Sequence, residues 1–301
     1  GKNPMVTEIR KELTEHIIPF WDSLEDKEYG GFYGFMDNEL KLDKGAVKGV
    51  ILHSRILWFY SNCYLTFKDE KFLEKAKSCY EFMKKYCVDH ENGGVYWAVN
   101  ADGSVSDDMK HTYCQAFFIY ALASYYDASG DKEALDLAMD MFRTVEEKCT
   151  DEVAYLEAMS RTWELVENDA LSENGLMADK TMNTVLHLIE AYTVLLEACE
   201  DNRRNKVEER LRFLLDISEK KIFNSEDNCL RVFFDKNLDQ IGDIHSYGHD
   251  IEATWLFDRA CEVVGDEALS AKWREINLRI SGNILNIAHE NGAVNNEREN
   301  E

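Results

Sequence analysis

Two histidines in this chain are spaced for proton transfer. The stretch GDIHSYGHDIEATWL at 242–256 carries His245, His249 and Glu252. Ser246 is a candidate N-cap, which puts His249 in the first turn of a helix. There the helix dipole disfavours the imidazolium and leaves a neutral ring able to accept a proton. Glu252 follows three residues later on the same face, where it can orient that ring. The stretch ADKTMNTVLHLIEAY at 178–192 sets Asn183 and His187 four apart, with Glu190 three further on. Such groups among apolar neighbours are costly to bury unless they serve each other or a ligand.

Two more stretches add polar groups of other kinds. In MKHTYCQAFFIYAL at 109–122, Thr112 and Gln115 fit a capping box and Tyr113 projects from the first turn. In GVILHSRILWFYSN at 49–62, Arg55 stands among Leu52, Ile56, Leu57, Trp58 and Phe59. An arginine in that company needs a carboxylate in a buried ion pair, or a ligand oxygen. Arginine, tyrosine, asparagine and two histidines among aromatics suit a neutral polyol handled by acid–base chemistry. His245, His249 and Glu252 also have the residue types of a metal set. Their order is not HExxH, and Gly248 with the cap interrupts a helix through both histidines, so no metal is expected.

The elements that must position these groups are helical hairpins. Polar elbows read KDEKFL at 68–73, GDKEAL at 130–135, DNRRNKV at 201–207 and GDEAL at 265–269. Apolar residues recur at helical spacing on either side of each elbow, as in Phe118, Ile119, Leu122 and Tyr125, then Ala134, Leu135, Ala138 and Met141. Helices are expected near 5–19, 48–67, 69–87, 182–199, 204–218, 247–263 and 267–288, with a further pair around the elbow at 130. GGFYG at 30–34 and GGVYW at 93–97 read as short extended turns. All four polar stretches open the first helix of a hairpin, so a closed toroid would bring them to one mouth. The expected fold class is therefore all-α, one domain over 1–301 whose hairpins curl into a solenoid or close into a toroid, with the aromatics favouring closure. About nine helices are legible where six hairpins need twelve, so roughly the last three are expected to be lacking.

Composition narrows the function classes. Hydrophobic residues make up 45% of the 301 residues and proline only two, which suits long helices around a core. A formal charge of −24 repels phosphate backbones, so nucleic acid is not an expected partner. No apolar run is long enough for a membrane span. Eight cysteines, with no CxxC pair, read as reduced core thiols in a cytoplasmic chain. Phosphate loops, nucleophile elbows and dinucleotide fingerprints are missing, and no cofactor is expected.

ILHSRILWFYSN, KHTYCQAF, LSENGLMADKTMNTVLHLIEAY and GDIHSYGHDIEATWL resemble the N-acylglucosamine 2-epimerase superfamily, over nearly the whole chain after residue 5. The resemblance implies an (α/α)6 barrel and inversion of C2 in the reducing-end glucose of a β-1,4-linked disaccharide. Cellobiose, lactose and mannobiose are the candidates. It makes His249 one histidine of an acid/base pair, supported by Glu252, and His187 the histidine of ring opening. Arg55 would face the sugar oxygens, and Tyr113 and Asn183 would contact substrate. The family pattern continues past NNER, here at 295–298, to a tryptophan pair and the second histidine of the acid/base pair, neither of which is in this sequence. The route implied is ring opening, C2 deprotonation to a cis-enediolate, and reprotonation on the other face. The alternatives are a mannose-type aldose–ketose isomerase, a glycoside hydrolase on the same barrel, and a non-enzymatic helical scaffold. A hydrolase would call for paired carboxyl groups.

Overall fold

The computed structural model describes residues 4–34, 41–166 and 178–291, with the backbone of 298–299. α1 (Pro4–Glu12) passes through one wide turn at Leu13–Ile17 into α2 (Ile18–Ser23). Four helical pairs follow: α3 (Val50–Phe67) with α4 (Glu70–Phe82), α5 (Thr112–Ser129) with α6 (Lys132–Lys148), α7 (Met182–Ala198) with α8 (Arg204–Ile217), and α9 (Tyr247–Val264) with α10 (Glu267–Asn291). The elbows act as their residues dictate. Lys68, Gly130 and Gly265 end α3, α5 and α9 in the left-handed conformation, and the Asp69 and Asp131 carboxylates cap α4 and α6.

α3, α5, α7 and α9 pack side by side, and each is backed by its own partner α4, α6, α8 or α10. Of the inner helices α5 is apolar nearly all round and buries Cys114, Ala116, Phe118, Ile119 and Leu122 among others. The outer ones are amphipathic, so burial of one stripe suffices to hold them. α2 backs α3 from outside, with the Tyr60 hydroxyl donating to Asp22 Oδ1 at 2.6 Å and Trp21 packed on Phe59. This inner-and-outer arrangement is that of an α/α barrel. All eight cysteines are buried free thiols, and burial pushes Cys87 and Cys149 up to about 12.

Two-residue antiparallel ladders fix where each inner helix begins. Lys48–Gly49 pairs with Ala98–Val99, Lys110–His111 with Ala158–Met159, Lys180–Thr181 with Phe233–Phe234, and Ile244–His245 with Arg298–Glu299. The three ladder lysines are buried. Lys48 Nζ donates to Asp26 Oδ2 at 2.7 Å and to the Gly30 and Ala101 carbonyls. Lys110 does the same with Asp89 at 3.0 Å and the Gly93 and Arg161 carbonyls. Lys180 takes Asp151 at 2.7 Å and the Lys236 carbonyl. Burial opposes ionisation of Asp26 and Asp89. Hydrogen bonds from the lysines, from Arg161 at Asp89, and from turn amides outweigh it and hold both below the usual carboxylate range. At the fourth hairpin Asn224 accepts the turn amides of Glu226 and Asp227, and Ile244 occupies the ladder place of the lysine.

A second tie joins α3 and α5 to the turns outside them. His53, fourth after the cap of α3, accepts the Phe32 amide at 3.0 Å on Nε2 and contacts the Gly49 carbonyl through Nδ1 at 2.7 Å. Burial, helped by the Lys48 charge, lowers its pKa to about 4, so the ring stays neutral. Gly31 must be glycine here: its φ is +67°, and a Cβ would sit 2.9 Å from both His53 Nε2 and the Phe82 ring. Gln115, at the same place in α5, exchanges two hydrogen bonds with Val95 at 2.7 and 2.9 Å. The expected capping box therefore does not form. His111 takes the cap position because the ladder extends to it, and the Thr112 hydroxyl donates to the Leu156 carbonyl.

Candidate active site

Counted from the helix caps Gly49, His111, Thr181 and Ser246, one column of each inner helix lines the inside of the arc. The sixth residues are Arg55, Phe117, His187 and Glu252; the ninth are Trp58, Tyr120, Glu190 and Trp255. Helical rise puts residues of equal offset at similar depth, so the wall is layered from rim to floor.

The upper layers converge. The Arg55 guanidinium lies over the Phe117 ring, 5.0 Å from its centre. Tyr113 meets Phe117 edge-on at 4.9 Å and His187 edge-on at 4.8 Å, and Phe117 meets His187 at 4.7 Å. Burial raises the Tyr113 pKa, against the Arg55 charge, and its hydroxyl lies within reach of both Asn183 and Arg55. Arg55 is exposed and, among the described residues, has no ion pair, so the buried-pair alternative does not hold. Below them Trp58 stacks on Tyr120 at 6.0 Å, with Glu190 close to the Tyr120 hydroxyl. At the far end an Arg259–Glu197 ion pair links α9 to α7.

His187 is held on two sides by aromatic rings, and its buried Nδ1 lies 3.9 Å from Glu190 Oε1. His249 sits in the first turn of α9, as its spacing from Ser246 predicts: the Ser246 hydroxyl accepts its backbone N–H at 3.5 Å. α9 packs on α7, which brings His249, third after its cap, to the rim level of Asn183, second after its own. Its Nδ1 is buried with no hydrogen-bond partner among the described residues. Glu252 is exposed, and no ion pair joins it to His249 among those residues. No group of three potential metal ligands occurs among them either.

Several polar residues of this region were not expected from sequence. Glu157 is buried, accepts the Thr181 amide and the Thr184 hydroxyl at 2.6 Å each, and is pushed by burial to about 7. Asp250 is buried at the fourth place after its cap, matching His53 and Gln115, and faces the Leu230 amide; burial raises it to about 7. That correspondence sets Asp250 toward the outer turn and not on the wall, and neither of its carboxyl oxygens has a hydrogen-bond partner among the described residues. A cavity of about 430 Å³ lies elsewhere, lined by Leu156, Glu157, Leu165, Lys180 and Lys236 among others. It contains none of the six expected residues; 167–177, with LSENG at 171–175 among them, fall outside the described residues.

The N-acylglucosamine 2-epimerase (GlcNAc 2-epimerase) family model matches residues 30–275. A cellobiose 2-epimerase of Ruminococcus albus is 58% identical over 295 residues, covering 98% of this chain and 75% of its own length. Among solved structures, a sugar epimerase from a ruminal bacterium superposes with a TM-score of 0.93 at 57% identity, covering 98% of this chain and 75% of that one. The cellobiose 2-epimerase of Bacillus thermoamylovorans gives 0.91 at 41% identity, over 99% and 76%.

Proposed function

The chain belongs to the N-acylglucosamine 2-epimerase family and is an isomerase of the epimerase kind, and we propose that it inverts C2 of the reducing-end glucose in cellobiose and related β-1,4-linked disaccharides. The observation that carries this reading is the Arg55–Tyr113–Phe117–His187 cluster. Three hairpins meet there: the Arg55 guanidinium lies over Phe117, and Tyr113 and Phe117 both pack on His187.

In the proposed route His187 moves a proton between O1 and O5 as the ring opens. His249 exchanges the C2 proton on one face of the cis-enediolate, and histidine suits both steps because it donates and accepts near neutrality. Arg55 stabilises charge developing on the enediolate oxygens, and Tyr113 and Asn183 hold the sugar hydroxyls. Glu252 faces open space in the wall and engages His249 or substrate only as the site fills. Inversion needs a second acid on the opposite face, a role the family resemblance gives to a histidine beyond NNER. Ile251, Leu278 and Leu285 are exposed on α9 and α10. Helices completing the ring would cover that edge.

No helix among the described residues is long and apolar enough to cross a membrane. We place the reaction in the cytoplasm, where the eight free thiols stay reduced. Incubating the full-length protein with cellobiose in heavy water tests the route: glucosyl-mannose should form with deuterium at C2. Free glucose would indicate a hydrolase, a ketose product an aldose–ketose isomerase, and epimer without deuterium would sink the proton transfer.

A further inference from the structure

We propose that Glu190 is a positioning residue for His187, holding the ring proton on Nδ1 so that Nε2 is presented to the sugar. The inference rests on the reading that His187 meets substrate. The aromatic contacts define the plane of the His187 ring: Tyr113 stands edge-on to it at 83° and Phe117 lies at 37°. A plane alone does not choose a nitrogen, because rotating the ring by half a turn exchanges its two edges and leaves both contacts in place.

Glu190 breaks that symmetry. It follows His187 by three residues on α7, so the two side chains share a face, and its Oε1 lies 3.9 Å from Nδ1. Nδ1 is buried and has no hydrogen-bond partner among the described residues. Among those residues the carboxylate has His187 as its one ion-pair partner and the Tyr120 hydroxyl as its other polar neighbour. It is also not a solvent-facing helix charge, since its side chain is 21% exposed and that of His187 14%. A carboxylate accepts only, so the nitrogen facing it must carry the proton. The remaining nitrogen is then an acceptor toward the cup, as opening the sugar ring requires. The separation exceeds a hydrogen bond, and such contacts tighten when substrate fills a site.

The test is nitrogen NMR of the full chain carrying 15N-labelled histidine, with the His187 signals among the eight histidines assigned from a His187→Gln spectrum. The wild-type protein should show the Nδ1–H tautomer. Glu190→Leu should shift the population toward Nε2–H and lower kcat on cellobiose by about 10–100-fold with KM little changed. Glu190→Gln, whose amide oxygen still accepts from Nδ1, should keep the tautomer and lose less. A wild-type His187 protonated on Nε2 overturns the proposal even if no variant folds, and so does a Glu190→Leu spectrum or kcat equal to wild type. The NMR arm reads no turnover. A Glu190-dependent tautomer in a protein inert toward cellobiose would thus refute the epimerase reading and leave the positioning role standing.

Discussion

In the first three hairpins a lysine ahead of the inner helix reaches back to an aspartate in the preceding turn; in the fourth, Asn224 and Ile244 hold those two places. The turn amides are satisfied either way. Both members of the pair change together because a lone charge in a buried place costs far more than exchanging the two for an uncharged set. The inner wall differs as well. His187–Glu190 and His249–Glu252 share one sequence spacing, yet the first pair lies at the sixth and ninth places after its cap and the second at the third and sixth. Only the first is in contact among the described residues. Equal spacing along a helix therefore does not make equal pairs; depth below the rim decides.

The strongest way to break the comparison is kinetic. If both walls face one cavity, His187→Asn and His249→Asn should each lower kcat by about 10²–10⁴-fold while thermal unfolding stays near wild type. Undiminished turnover in His249→Asn would separate the fourth hairpin from the site. Next in size is the rim. Lys48→Met strands Asp26 and should cost about 3–5 kcal/mol in denaturant unfolding, whereas Asp26→Asn with Lys48→Ile, which copies the fourth hairpin, should recover most of it. A double variant as weak as the single would show that the swap needs more than those two residues.

A smaller effect concerns Asp250 and, on the third hairpin, Glu157. Both have folded-state pKa values raised to about 7. Their contribution to stability is therefore full below about pH 4 and is lost as pH rises through about 7, at up to about 1.4 kcal/mol per pH unit for each group. Asp250→Asn and Glu157→Gln should each flatten unfolding free energy against pH across that window; an unchanged slope would place the ionised form in the fold. The least costly change is Ser246→Ala, expected to lose about 1 kcal/mol on removing the cap of α9. Equal loss from His111→Ala, which makes no side-chain cap, would erase that distinction.

Much of this was legible in the chain. Elbows, inner helices and the Ser246 cap follow from local signals, because each involves residues within a turn or two. So does the gathering of Arg55, Tyr113, Asn183 and His187, since all four open equivalent helices. The lysine pins were not legible: Asp26 and Lys48 are 22 residues apart, and a lysine beside a glycine reads as solvent-facing. Gln115 was misread for a related reason. Its local capping partner lost to Val95, which a turn outside the helix brings alongside. Arg55 looked buried because its sequence neighbours are apolar, but Ile56, Leu57 and Phe59 lie on the flanks of α3, while Arg55 shares its column with Leu52 and Trp58 and is exposed.

The short ladders at the rim work as an index for four screws. In the first three hairpins the last ladder residue is itself the cap, at Gly49, His111 and Thr181; in the fourth a single extra step, His245 to Ser246, intervenes. One step advances a helix by 1.5 Å and turns it by about 100°. Slippage by one at any ladder would rotate the sixth residue out of the cup and bring in the seventh, Ile56, Phe118, Leu188 or Ala253, all apolar and buried. Insertions should thus be tolerated at the elbows, where they change no phase, and be ruinous between ladder and cap.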